Sequence, residues 1–133
     1  IFADVHQDGR TIYPGTGDRS EIGTGQASGT KLNIPLPVGA NDGHFQHAWT
    51  EIQDHLESYQ PEFIILQCGA DSLAGDPITQ LELSEKSHHM AAKSLSLIAE
   101  KCCQGKLVAL GGGGYNLDNI AKAWTAIVEG LID

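Results

Sequence analysis

The sequence predicts an α/β fold with a mostly parallel sheet. Short apolar segments alternate with longer segments of helical period along the chain, and glycine-rich or acidic loops follow two of the short segments. The length of 133 residues, with 41% hydrophobic residues, is enough to form a buried core. We therefore expect one domain, or a large part of one, in which helices connect parallel strands.

The first third of the chain predicts two short strands joined by a long loop. Residues 1–6 form a short strand-like run, and residues 7–29 are rich in Gly, Thr, Ser and Asp without a sustained period, which predicts a long loop. Residues 31–37 form a second apolar run. Pro35 within it indicates an edge strand or a strand end, because proline has no N–H to donate to a neighbouring strand.

Three later segments have apolar residues at three- and four-residue spacing, which predicts amphipathic helices. Asn41 or Asp42 is predicted to cap the first helix, Ser84 is predicted to cap the second, and Gly105 to stop it. The helices are predicted over residues 44–59, from Ser84 to about Cys103, and over 117–132. Their predicted buried sides are Phe45, Ala48, Trp49, Ile52, Leu56 and Tyr59; Met90, Ala91, Leu95, Leu97, Ile98 and Ala99; and Ile120, Ala123, Trp124, Ile127, Val128 and Leu131.

Two further strands precede the chemically suggestive loops. Residues 63–66 form a continuous apolar run, typical of a parallel strand covered on both faces, and residues 106–110 form the next strand. The carboxyl ends of parallel strands share one edge of a sheet, where ligands bind. The loops at 68–75 and 111–116 are therefore expected on the same rim.

Charge and cysteine content limit the partners and the compartment. The formal net charge is −9, which repels phosphate backbones, so we expect no direct nucleic-acid binding. The acidic surface either attracts a cationic substrate or serves solubility alone. Three cysteines form neither an even disulfide set nor a Cys-x-x-Cys pair, and no apolar run is long enough to span a bilayer. We expect a cytoplasmic protein that contacts no membrane.

Asp71 lies in an acidic loop, Leu66–Asp76, that leaves a buried strand. A carboxylate at this position suits a metal ligand or a general base. The same residue type also caps turns, so the pattern alone leaves both interpretations open. Asp76 precedes Pro77 and is predicted to organise a turn.

Four consecutive glycines, Gly111 to Gly114, precede Tyr115 and Asn116. Glycines allow close approach of the backbone to a ligand, and a tyrosine hydroxyl can donate to an oxyanion. A phosphate-binding turn and a merely flexible turn are the alternatives, although neither Gly-x-Gly-x-x-Gly with a distant acidic residue nor a Gly-Lys-Ser/Thr ending is present.

Together, residues 66–76 (LQCGADSLAGD) and 110–116 (LGGGGYN) resemble the late motifs of the histone deacetylase and acetoin-utilization superfamily. Residues 13–17 (YPGTG), 22–25 (IGTG) and 33–36 (NIPL) resemble three further family segments in the same order. The resemblance covers nearly the whole chain. It implies a three-layer α/β/α fold of the arginase and deacetylase type, with residues 1–133 forming the C-terminal portion of a single catalytic domain.

The resemblance also implies a role for each matching residue. Asp71 corresponds to the family's last metal-binding aspartate, and Tyr115 to the tyrosine that polarises the acetyl carbonyl. Asp4 and Val5 lie where relatives hold a structural monovalent cation such as potassium, with aspartate in place of the usual serine. The residues matching the walls and floor of the substrate tunnel are Tyr13, Ile78, Gly113 and Gly114.

The activity implied is hydrolysis of an acetylated amine, such as acetyl-lysine, by zinc or another divalent metal. The family's His-His and Asp-x-His pairs come from sequence before residue 1, so we expect this polypeptide alone to be inactive and the unpaired edge of residues 1–5 to favour self-association. The adjacent His88 and His89 are expected to be surface or boundary residues, because neighbours on a helix point about 100° apart. A non-catalytic scaffold module and a nucleotide-binding domain are the alternatives.

Overall fold

The computed structural model describes all 133 residues as four strands and three helices. Single 3₁₀ turns occur at Gly25–Ala27 and Ala70–Ser72. No helix combines the length and the apolar character needed to cross a membrane. In chain order the elements are β1 (Phe2–Gln7), β2 (Lys31–Leu36), α1 (Asp42–Tyr59), β3 (Ile64–Gln67), α2 (Glu85–Cys103), β4 (Leu107–Leu110) and α3 (Leu117–Ile132).

All four strands run in parallel pairs. β1 pairs with β2 from Phe2 opposite Lys31 to Gln7 opposite Leu36, and β3 pairs with β4 from Ile64 opposite Leu107 to Gln67 opposite Leu110. The predicted α/β fold with parallel strands is confirmed. The two pairs are separate sheets, and β2 is paired on one side only, as Pro35 predicts.

The helix caps follow from local sequence. Asn41 caps α1 and forms a capping box with His44, so α1 begins two residues earlier than predicted. The Ser84 side chain accepts a hydrogen bond from the Lys86 amide at the start of α2, as predicted. α2 ends at Cys103, and its C-cap Gln104 adopts the left-handed conformation immediately before Gly105.

The main core lies where α1 and α2 pack against the two strand pairs. α2 and α3 are in close contact along their length, and a Cβ at Gly130 would lie only 2.5 Å from the backbone oxygen of His89. Tyr59, Leu97 and Val128 are exposed, so their predicted burial is wrong. Tyr59 is the last residue of α1. Leu97 and Val128 point about 100° away from their packed neighbours, Ile98 and Ile127.

The face of the β3–β4 pair opposite α2 and α3 is bare. Ile64 packs into the core, but Ile65 is 66% exposed. The prediction that residues 63–66 are covered on both faces is therefore wrong for residues 1–133, because no element here lies over that side. Between β1 and β3, a cleft of about 790 Å³ separates the two strand pairs.

Candidate active site

The two loops predicted to share a rim are hydrogen-bonded to each other. The Cys68 amide donates to the Leu110 oxygen over 3.0 Å, and the Ala70 amide donates to the Gly113 oxygen over 2.7 Å. These bonds continue the parallel pairing of β3 and β4 beyond the ends of the strands. The turn that carries Asp71 and the loop that leads to Tyr115 therefore form one rigid junction.

Asp71 lies in the 3₁₀ turn that follows β3 and is half-buried. The pKa of its carboxyl group is raised, chiefly because burial disfavours the charged form; its own backbone N–H opposes this shift, and the nearby Asp76 carboxylate adds to it. The Thr79 hydroxyl donates to the Asp71 carbonyl oxygen and holds the turn. A partly buried carboxylate whose ionisation is disfavoured gains most from a cation beside it, as a metal ligand does.

Glycine is required where the second loop passes Asp71. A Cβ added at Gly113 would collide with the Asp71 carboxylate, and one at Gly69 would lie 2.8 Å from the Gly113 nitrogen. Gly114 has φ +136°, a conformation that favours glycine, and a Cβ there would lie 3.0 Å from the Ala70 Cβ. Gly113 thus brings bare backbone against the predicted metal ligand, whereas Gly114 packs beside Ala70.

Asp76 is 8% exposed and organises its turn as predicted. One carboxylate oxygen accepts hydrogen bonds from the amides of Ile78 (2.8 Å) and Thr79 (3.2 Å). The other accepts from the amide of Tyr115 over 2.9 Å. This last contact joins residues 39 positions apart, and no local pattern in the sequence indicated it.

Tyr115 follows the glycines and is 57% exposed. Asn116 caps α3 by accepting hydrogen bonds from the amides of Asp118 and Asn119, and its side chain donates to the Gly75 oxygen. The buried Asn119 side chain donates to the Ala74 oxygen over 3.1 Å. Both asparagines attach the start of α3 to the loop that carries Asp71 and Asp76.

The predicted tunnel residues do not enclose a tunnel within these residues. Tyr13 is 94% exposed and lines the cleft between β1 and β3 together with Asp71. Ile78 is also exposed, on the loop that Asp76 organises. The tunnel roles of Tyr13, Ile78, Gly113 and Gly114 stay predictions.

Asp4 is hydrogen-bonded to His6 on β1. The Nδ1 atom of His6 lies 3.1 Å from the Asp4 carboxylate, and Nε2 lies 3.0 Å from the Gly17 oxygen. The hydrogen bond that Nδ1 of His6 donates to the Asp4 carboxylate raises the pKa of His6 despite the opposing effect of burial. The Asp4 carboxylate therefore already has a hydrogen-bond partner in His6. The monovalent cation predicted at Asp4 and Val5 stays a prediction.

His88 and His89 diverge, as predicted for neighbours on a helix. Nε2 of His88 lies 2.9 Å from the Ser72 hydroxyl, whereas Nε2 of His89 lies 3.0 Å from Asp133. Burial lowers the pKa of His88. His88 thus supports the turn that carries Asp71, a contact that spacing along α2 could not predict.

The donor set suits part of a metal site. Asp71 offers one carboxylate of the kind that binds zinc, while a catalytic zinc site generally uses three protein ligands. No group of three or more His, Cys, Asp or Glu side chains is placed to hold an ion together. Asp71 is therefore the one predicted metal ligand among these residues.

Comparisons with known proteins identify the family of this chain. The profile described as "Histone deacetylase domain" matches residues 1–131. Histone deacetylase 9 of Arabidopsis thaliana is 39% identical over 134 aligned positions, covering 100% of this chain and 30% of that protein. Acetoin utilization protein AcuC of Bacillus subtilis (strain 168) is 34% identical over 125 residues, covering 92% of this chain and 32% of that protein.

A solved structure agrees as well. The structure of the histone deacetylase Clr3 superposes with a TM-score of 0.89 at 28% identity, covering 99% of this chain and 22% of that one. The chain spans 25% to 33% of the length of the five curated relatives compared. It is thus similar to one portion of a larger domain.

Proposed function

Because this chain belongs to the histone deacetylase domain family, we propose that the full-length protein is a metal-dependent deacetylase that hydrolyses an acetylated amine to acetate and the free amine. The observation that supports this most directly is the packing of the Asp71 carboxylate against Gly113, two residues before Tyr115. Hydrogen bonds between the two loops hold this arrangement. Asp71 and Tyr115 would then act at one acetyl group.

Zinc or another divalent metal is the proposed cofactor, with Asp71 as one ligand and the remaining ligands supplied from outside residues 1–133. When bound, such a metal polarises a carbonyl and activates a water molecule. Residues 1–133 alone would be inactive, because one carboxylate does not complete a catalytic site. Potassium at Asp4 and Val5 is proposed only as a structural ion.

The residues of this chain would bind and stabilise the reacting acetyl group. Water adds to the carbonyl carbon, the carbon–nitrogen bond breaks, and the amine leaves with a proton. The Tyr115 hydroxyl would donate a hydrogen bond to the oxyanion as it forms, in a site where that bond is stronger than in water. Gly113 and Gly114 would leave room for the acyl group, while Tyr13 and Ile78 would line its approach.

Acetylated lysine in proteins, acetylpolyamines and small acetylated metabolites all fit this chemistry. The formal charge of −9 favours substrates that carry further positive charges, because it concentrates cations near the surface. Three unpaired cysteines, Cys68, Cys102 and Cys103, favour a reducing compartment such as the cytoplasm.

Metal content and hydrolysis of an acetylated fluorogenic lysine, measured on the full-length protein, test the proposal. Asp71→Ala should lose bound metal, because a ligand is gone. Tyr115→Phe should retain the metal and lose roughly 100- to 1,000-fold in kcat, the usual effect of removing one oxyanion donor.

Matched controls separate these effects from general damage. Asp54→Ala and Tyr59→Phe change exposed residues of α1 and should behave like the unmodified protein. A full-length protein that binds no divalent metal and hydrolyses no acetylated amine would contradict the proposal. A non-catalytic scaffold function would then be favoured.

A further inference from the structure

The Asp76 carboxylate is buried and has no cationic partner. Its hydrogen-bond donors are three backbone amides, those of Ile78, Thr79 and Tyr115, at 2.8 to 3.2 Å. None of the ion pairs in the structure includes Asp76. A buried carboxylate is costly unless hydrogen bonds compensate its desolvation, so these three amides are held tightly around it.

The two carboxylate oxygens of Asp76 serve different loops. One oxygen accepts from Ile78 and Thr79, both on the chain that follows Asp71. The other accepts from Tyr115, which ends the glycine run. Asp76 thus bridges the segment carrying the predicted metal ligand and the segment carrying the predicted oxyanion donor.

The glycine run cannot fix Tyr115 by itself. Four residues without side chains precede Tyr115, and glycine has the greatest backbone freedom. Upstream, the run is fixed where the Gly113 oxygen accepts from Ala70. Between that bond and the cap at Asn116, the Tyr115 backbone is held by the hydrogen bond that its amide donates to Asp76.

We propose that Asp76 is a positioning residue for Tyr115: its carboxylate fixes the Tyr115 backbone relative to the turn of Asp71, so that the tyrosine hydroxyl meets the acetyl oxygen. This inference rests on the proposed function of Tyr115 and adds a residue that acts through it. Small displacements of a reacting group reduce the rate by large factors. The hydrogen bond between Asp76 and the Tyr115 amide can therefore affect turnover although it lies away from the Tyr115 hydroxyl.

Asp76→Asn in the full-length protein is the test. The side-chain amide of asparagine retains only one acceptor oxygen. Its NH₂ group must therefore face either the Tyr115 amide or the amides of Ile78 and Thr79, which then lose their acceptor. We expect kcat to fall roughly 100-fold while KM and metal content stay near those of the unmodified protein. Asp118→Asn, an exposed residue in the first turn of α3, is the matched control and should change neither.

A double variant shows whether the effect passes through Tyr115. In a Tyr115→Phe background, Asp76→Asn should cost little further activity, because the group it positions is already gone. A loss of the same size in both backgrounds would mean that Asp76 supports the fold in general and would overturn the inference.

Hydrogen exchange gives a readout that does not depend on deacetylation. In Asp76→Asn the amides of residues 111–117 should exchange faster, while those of β3 and α2 keep their protection. Unchanged exchange over 111–117 would overturn the inference. The unmodified full-length protein could lack deacetylase activity while Asp76→Asn still speeds exchange over residues 111–117. That result would support the structural role of Asp76 and contradict only the proposed function.

Should Asp76→Asn fail to fold, Asp76→Glu provides the second variant. It retains the carboxylate but moves it by one methylene, so the same loss of kcat with retained metal is expected. Full activity in this variant, with unchanged exchange over 111–117, would contradict a positioning role for Asp76.

Discussion

At the scale of single residues, the contact between Gly113 and the Asp71 carboxylate explains why this loop lacks side chains. A Cβ at Gly113 would occupy the space of the carboxylate, whereas a Cβ at Gly111 would only touch Trp124 at 3.7 Å. The four glycines are therefore not equivalent. The position of Asp71 requires glycine at residue 113 but not at residue 111.

Gly113→Ala is expected to weaken metal binding and reduce turnover of the full-length protein by at least about tenfold, because the added methyl group displaces Asp71. Gly111→Ala is the matched control on the same loop and is expected to retain both properties. Metal content after dialysis and kcat/KM measure the difference. Equal behaviour of the two variants would show that Asp71 does not need its present position.

How far single residues could be predicted depended on the separation of their partners along the chain. Asp71 and Tyr115 were identified because each lies in a continuous motif. The bond from the Tyr115 amide to Asp76 and the contact between His88 and Ser72 join distant residues, at separations of 39 and 16. Such contacts depend on how the elements pack, which no local pattern specifies.

At the scale of elements, Asp42 joins the first turns of α1 and α2. Its carboxylate accepts hydrogen bonds from the Ser84 amide (2.8 Å), the Ser84 hydroxyl (2.6 Å) and the Ser87 hydroxyl (2.6 Å). Burial acts to raise the pKa of Asp42, but these hydrogen bonds outweigh it and lower the pKa below its ordinary value. The charged form therefore stabilises the fold.

Asp42→Ala is expected to lower the free energy of unfolding of the full-length protein by about 2 to 3 kcal/mol at pH 7, because three hydrogen bonds are lost. A lowered folded-state pKa means that this contribution is complete above the unfolded-state value of about 3.9 and is lost as the pH falls through the folded-state pKa. Urea titrations at pH 7 and at a pH below the folded-state pKa of Asp42 measure it.

The control for Asp42 is another aspartate of the same helix. Asp54→Ala removes an exposed carboxylate of α1 and is expected to change the stability by less than about 0.5 kcal/mol. A loss in Asp42→Ala that is equally large below the folded-state pKa of Asp42 would show that the charge of Asp42 is not its source.

Elements were predicted well where their signals are local. The sequence predicts Ser84 as one cap and limits the other to Asn41 or Asp42, because capping depends on the two or three residues that follow; the structure has Asn41. The separation of the strands into two pairs was not predicted, since it depends on which strands become neighbours. The exposure of Ile65 was not predicted either, because an apolar run indicates burial without naming the element that covers it.

At the scale of the whole molecule, the bare face of the β3–β4 pair needs a cover. The residues on it include Ile65, Val108 and Leu110, all exposed. The chain spans 25% to 33% of the length of the curated relatives. A full-length protein of that size would have further chain to lie over this face. Without that cover, the apolar face and the free edge of β1 would favour self-association.

Ile65→Glu tests whether the rest of the full-length protein covers this face. A glutamate forced into a buried interface is expected to lower the free energy of unfolding by about 3 kcal/mol or more, measured by urea titration, because its charge loses water without gaining a partner. Leu97→Glu, on the exposed side of α2, is the matched control and is expected to have little effect. Equal stability of the two variants would show that Ile65 is solvated in the full-length protein and that residues 1–133 present this face to solvent or to a partner.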